Sequence, residues 1–233
     1  MEKSSFAGQD TASPTMIAVP RGLFAFALLY GGLVVLSGVL GAKIASLGTW
    51  PGVGGLAVES GIFGFLILVV LASATAELYG QATANLLVRL GFVPLIVSML
   101  LLTLVIRAVP PAPFWQGQEA FASVLGQGVR MQLAGLVSYG VSQTLNVHVF
   151  ARIGGGRGHH LLLRAWLAGL LSQVVDTVIF ITLSFWGETG ADGHPLPIGA
   201  LMTGQLGAKL LLSTLMVPPL IWLAVRIGRR LDA

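Results

Sequence analysis

The chain has 233 residues, 55% of them hydrophobic and only 9% charged, with a net charge of +4 and no cysteine. A soluble domain averages about 25% charged residues, and a soluble fold of this length could not cover so much apolar surface, whereas a bilayer removes that difficulty. Disulfides and thiolate metal sites are excluded. The small basic excess sits at the ends of apolar runs, where it orients a membrane chain, so it is no nucleic-acid footprint.

Residues 1–20 (MEKSSFAGQDTASPTMIAVP) are polar, small and proline-containing, and read as a mobile tail. The first apolar run continues from Leu23 to about Leu47. A secretory signal has an apolar region of only about 7–15 residues, so this run is expected to be retained as a span. Six runs reach the length of about 20 residues that crosses the hydrocarbon layer: 22–46, 57–79, 88–108, 128–151, 162–186 and 199–225. Turn-forming segments lie between them, including TWPGVGG, VPPAPFWQGQ, GGGRGHH and GETGADGHPLP. Backbone polar groups in lipid need internal partners, so the spans are expected to be helices. The fold expected is an all-α polytopic bundle of six transmembrane helices, with residues 21–233 forming one membrane domain.

Lys and Arg set the orientation. With a cytoplasmic N-terminus the inner segments hold Lys3, Arg21, Arg89, Arg152, Arg157, Arg164, Arg226, Arg229 and Arg230, and the outer ones hold only Lys43, Arg107 and Arg130. Both termini are therefore expected in the cytoplasm, with the protein in the inner membrane. Trp50, Trp115, Trp166, Trp186 and Trp222 fall near span ends, as an aromatic belt requires. The third run is nearly free of polar residues and is expected to face lipid or a partner, and the glycines of the first allow close helix packing.

Charge inside a span costs about 2.5–3.5 kcal/mol on insertion scales, so it has a partner or a task. Three such residues stand out: Glu77, Asp176 and Lys209. Glu77 shares a face with Ser73 and Gln81, and reads either as a carboxylate aimed into the bundle or as one solvated at the interface. Asp176 lies mid-span with Gln173 and Phe180 on its stripe, too deep for a short side chain to snorkel. Lys209, one turn after Gln205, sits far from either end of the sixth run, and is expected to pair with Asp176 or Glu77. In the fourth run Tyr139, Ser142, Gln143, Asn146 and Phe150 recur on one face. A single amide there would be helix–helix glue; this many favour a lined cavity. SQTLN and SQVVD, on consecutive spans of opposite direction, would present similar groups across it.

These segments resemble the queuosine precursor transporter family, also called the vitamin uptake transporter family. ATAELYGQATANLLVRLGF is similar to its second-span signature, SQTLNVHVFARI to its fourth, RAWLAGLLSQVVDTVIFITLSFWG to its fifth and GAKLLLSTLMVPPLIWL to its last. The resemblance covers about residues 60–225. It implies six transmembrane helices and uptake of a 7-deazaguanine: 7-cyano-7-deazaguanine or its aminomethyl relative. Asp176 or Glu77 would then take two N–H donors of a guanine-like edge. Gln143, Gln173 or Gln205, with Asn146 and Lys209, would serve the rest. Tyr79, Phe150, Phe180 and Trp186 would offer planar faces. Where the family carries Asp, this chain has Ser73 and Asn146. Fewer carboxylates disfavour a cationic aminomethyl ligand and favour the neutral nitrile.

No Walker motif is present, so energy for transport would come from elsewhere. The alternative class is the membrane substrate-binding subunit of an energy-coupling-factor importer, which copurification with ATPase subunits would reveal. An enzyme is not expected. G-x-S-x-G and H-E-x-x-H are absent, and only His148 of the four histidines lies in a span, so neither a catalytic nor a metal site is foreseen. No cofactor is implied. The partners expected are the deazapurine, the lipid bilayer and a second copy in a homodimer.

Overall fold

A computed structural model describes residues 19–50, 54–152, 161–190 and 192–233. Those residues form seven helices and one hairpin: α1 (Arg21–Leu40), β1 (Ile44–Trp50), β2 (Gly54–Glu59), α2 (Gly61–Tyr79), α3 (Gln81–Ala108), α4 (Gln118–Arg152), α5 (Leu161–Phe185), α6 (Ile198–Leu215) and α7 (Val217–Asp232). α1, α2 and α3 are each long and apolar enough to cross a membrane, and α6 with α7 passes the same test as one bent span. The chain is a mainly helical membrane protein.

The first expected run, 22–46, ends early. α1 stops at Leu40, and Ile44–Trp50 pairs antiparallel with Gly54–Glu59, so that Ile44 faces Glu59 and Trp50 faces Gly54. An all-α bundle is thus modified by two strands. The local cause is composition: TWPGVGG cannot continue a helix, and the flanking residues pair with each other instead. Two strands alone are marginal, so the hairpin needs a packing partner. α6 supplies it. Val58 is buried with Ile62 and Ala208, while Ile44 and Ala57 pack on the cluster of Met131, Ile181, Phe185 and Leu201. Gly204 makes the close approach possible, because a Cβ there would collide with the backbone carbonyl oxygen of Ala57.

α2 and α3 are separated only by Gly80, whose φ of +88° turns the chain sharply. The sixth expected run, 199–225, is broken: α6 and α7 meet at 52° around Met216. Pro218 and Pro219 stand in the first turn of α7. They lack the N–H groups that would continue the ladder, and their rings crowd the preceding turn. α7 is amphipathic. Val217, Ala224 and Gly228 face the bundle, and Arg226 lies over the exposed Trp222 ring at 5.3 Å.

The two ends of the bundle differ. At one end the described N-terminus and the C-terminus meet: the Gly22 amide and the Tyr79 hydroxyl both donate to Asp232, each at 2.7 Å. An apolar core of Phe26, Leu66, Val70, Leu71, Ala74 and Leu87 packs together with Val217 and Ala224 of α7. At the other end lies the hairpin. There Arg130 of α4 forms an ion pair with Glu188 and donates to the Leu183 carbonyl, and Gln127 donates to that of Ser184. A basic side chain thereby satisfies the orphan carbonyls at the C-terminus of α5.

Candidate functional site

Between those ends the helices line a cavity of about 220 Å³. Its walls come from α1 (Tyr30, Val34, Ser37), α2 (Ile62, Phe65), α3 (Val88, Phe92, Leu95), α4 (Gln132, Ser138, Tyr139, Ser142), α5 (Ser172, Gln173, Asp176, Phe180) and α6 (Gln205, Lys209), with Glu59 at the base of the hairpin. The third helix therefore does more than face lipid. Leu86, Leu90, Val93, Val97, Leu100 and Leu104 are exposed along it, while Val88, Gly91, Phe92 and Leu95 form cavity wall.

The charged centre joins α5 and α6. Lys209 Nζ donates to Asp176 Oδ2 at 2.8 Å and to Thr177 Oγ1 at 3.2 Å. Ser142 Oγ reaches Asp176 Oδ1 at 3.5 Å. The two charged side chains are 14% and 19% exposed, so the pair is mostly desolvated, and each charge depends on the other. Asp and Lys reach one another because the stripes of two neighbouring helices are in register at mid-height. The Lys209 ammonium also lies 5.9 Å from the Phe65 ring centroid, within cation–π range. Aromatic faces complete the wall. Phe92 and Tyr139 stack tilted, 5.5 Å between centroids, and Phe180 comes from α5 beside Gly135 of α4.

A second polar centre lies where the hairpin meets α6. The Glu59 carboxylate is 5% exposed and Gln205 is 2% exposed. Gln205 Nε2 donates to Glu59 Oε1 at 2.9 Å, and the Gly61 amide donates to Oε2 at 2.7 Å. Across the cavity the buried Gln132 accepts from Ser98 Oγ at 3.3 Å and donates to the Val35 carbonyl at 3.4 Å, tying α4 to α3 and α1.

The expected site residues divide clearly. Gln173, Asp176, Phe180, Gln205 and Lys209 come together on the cavity wall. Glu77 and Tyr79 do not join them. Glu77 is exposed near the termini end, and Tyr79 is committed to Asp232 there. Trp186 is 70% exposed beyond the end of α5. Gln143, Asn146 and Phe150 belong to α4 by backbone, but their side chains lie outside the described residues. Sequence reasoning missed Glu59 and Gln132. The signal for Glu59 was present: a carboxylate two residues inside the 57–79 run, which reads as a solvated end until the hairpin is known to cover it. Gln132 continues the stripe of Tyr139 and Ser142 one heptad earlier.

Comparison with known proteins bears on what such a cavity holds. Residues 59–223 match the family described as "Putative vitamin uptake transporter". The chain belongs to this family. The matched segment begins at Glu59 and so takes in both polar centres. Two curated relatives are similar over part of their length. The "Queuosine precursor transporter" of Escherichia coli (strain K12) is 29% identical over 135 residues, 56% of this chain and 57% of that protein. The "Probable queuosine precursor transporter" of Bacillus subtilis (strain 168) is 36% identical over 121 residues, 50% of this chain and 51% of that protein. The similarity thus spans about half the length of the curated relatives. No solved structure matches.

Proposed function

We propose that this membrane protein is a carrier, not an enzyme, that imports a queuosine precursor across the inner membrane, with 7-cyano-7-deazaguanine preferred over its aminomethyl relative. The observation that carries the reading is a mainly apolar, aromatic-walled cavity with a few polar groups on its wall, in a chain whose family is that of the vitamin uptake transporters. The relatives' names supply the substrate class. The chemistry of the wall supports it: Phe65, Phe92, Tyr139 and Phe180 offer faces to a flat ring, and amides and carboxylates offer both donors and acceptors to its edge. An apolar cavity of roughly 150 Å³ already admits a benzene ring, so about 220 Å³ suits a small bicyclic ligand. Preference for the neutral nitrile follows from Lys209, which neutralises Asp176 and would repel a ligand ammonium.

In this reading α1 to α5 are five spans and α6 with α7 is the sixth, interrupted as the discontinuous helices of many carriers are. The end at which Gly22 meets Asp232 also carries Arg21, Arg229 and Arg230, which supports placing it in the cytoplasm. The exposed apolar stripe of α3 faces lipid or a second copy in a homodimer. The test is uptake of labelled 7-cyano-7-deazaguanine by cells that cannot synthesise it. Uptake above vector control is expected, and uptake at the control level would sink the reading.

A further inference from the structure

Among the described residues two carboxylates, Asp176 and Glu59, reach the cavity, and their surroundings differ. Asp176 has a cation in contact, so its charge is compensated by Lys209, with Ser142 on its second oxygen. Glu59 has no salt bridge among the described residues; its bonded partners are the Gln205 amide and the backbone amide of Gly61, with the Ile62 amide also turned toward it. A carboxylate offers about four acceptor positions, so Glu59 keeps acceptor capacity in reserve. Gln205 does too. Its Oε1 is fully buried and has no hydrogen-bond donor among the described residues, while its Nε2 is spent on Glu59. The amide cannot be turned to relieve this, because its oxygen would then face the carboxylate.

A buried carbonyl without a donor is costly and calls for an explanation. Capping α2 does not provide one: the Gly61 amide needs a single acceptor, and Gln205 takes no part in that cap. At Glu59 and Gln205 themselves the surplus is of one kind, acceptors beside acceptors. One helical turn further along α6 the complementary group appears. Lys209 has three N–H bonds, of which Asp176 and Thr177 take two; among the described residues the third has no hydrogen-bond acceptor. From Glu59 on β2 through Gln205 to Lys209 on α6, the wall therefore presents acceptor, acceptor, donor. A planar ligand with two adjacent N–H donors followed by a carbonyl completes all three.

We infer that Glu59 and Gln205 are the specificity-determining residues that read a 2-amino-pyrimidin-4-one edge, Glu59 and Gln205 accepting from its ring N–H and exocyclic amine while Lys209 donates to its carbonyl. The role of recognising carboxylate then falls to Glu59, ahead of Asp176 and Glu77. This assignment rests on the transport reading above and adds to it the part of the ligand that is recognised.

The experiment is a binding titration of the purified full chain in detergent with 7-cyano-7-deazaguanine and with its 2-desamino counterpart. A site built around a hydrogen-bonding group rejects the analogue that lacks it, so the wild-type protein should bind the 2-amino compound at least about 30-fold more tightly. In Glu59→Gln an amide N–H replaces an acceptor, and that preference should fall to within about threefold. Gln205→Met keeps the volume, removes the second acceptor, and should reduce the preference by about tenfold. The wild-type comparison does not depend on any variant folding: equal binding of the two compounds would overturn the assignment by itself. A preference unchanged in folded Glu59→Gln would also overturn it and leave the transport reading intact. Wild-type protein that binds neither compound would overturn the reading and the assignment together.

Discussion

The hairpin end and the termini end of this bundle hold acidic residues of similar sequence appearance and treat them in opposite ways. At the termini end Glu77 is exposed, and Asp232 gathers Tyr79 and Gly22 at the rim. At the hairpin end Glu59 is covered, and Asp176 is locked to Lys209 halfway down the cavity. An apolar cluster of Phe26, Leu66, Leu71 and Leu87 packs within the bundle, and the cavity takes in both Glu59 and Asp176. Whether a carboxylate next to an apolar run is a site therefore depends on what covers that end of the run, and its position within the run does not decide it.

Substitutions sharpen that contrast, and the largest effect is expected at the mid-cavity pair. Lys209→Ala leaves Asp176 charged and mostly buried, a loss of about 3 kcal/mol or more. Thermal unfolding in detergent should show it, and uptake of the labelled deazaguanine should fall at least about tenfold. The double variant Asp176→Asn with Lys209→Met should regain most of the stability without regaining uptake. Recovery of uptake would mean that the pair is structural only. Asp176→Asn by itself is expected to lower uptake strongly, and wild-type rates would remove Asp176 from the site.

The next largest effect should come from the seat of the hairpin. Gly204→Val drives a branched side chain into the Ala57 backbone, and overpacking of this kind costs about 1–3 kcal/mol. A lower melting temperature with a parallel loss of ligand binding is expected, because Glu59 rides on the same strand as Ala57. An unchanged melting temperature would show that β2 does not bear on α6. The smallest effects should appear at the opposite rim. Glu77→Gln alters an exposed group and Tyr79→Phe a half-buried one outside the cavity wall, and uptake should stay within about twofold of wild type for each. A larger loss in either would bring the termini end into the substrate path.

Much of the site is legible in the sequence. Asp176, Gln173 and Phe180 share a stripe that the 3.6-residue period reveals, as do Gln205 and Lys209, and the expense of charge in lipid singles out Asp176 and Lys209 as partners. Glu77 satisfies the same criteria and is elsewhere. It shares a face of α2 with Ser73, but Gln81 lies beyond the turn at Gly80, in α3, and Glu77 itself is exposed. Glu59 illustrates the reverse error: its neighbours Val58 and Ser60 look like an ordinary span entrance, and only the antiparallel pairing of residues 44–59 covers it.

The sequence by itself determined that this chain is a helical membrane protein with a few polar groups at depth. Composition and hydrophobic run length are local properties, and the bilayer leaves the backbone few alternatives to helix. Tertiary structure alone decided which polar groups meet. Packing of α6 against both α5 and the hairpin brings Lys209 to Asp176 and Gln205 to Glu59, contacts across 33 and 146 residues of chain. Periodicity fixes the face of a helix on which a side chain lies, but which neighbour that face meets, and whether a hairpin covers its end, follows from how the helices pack.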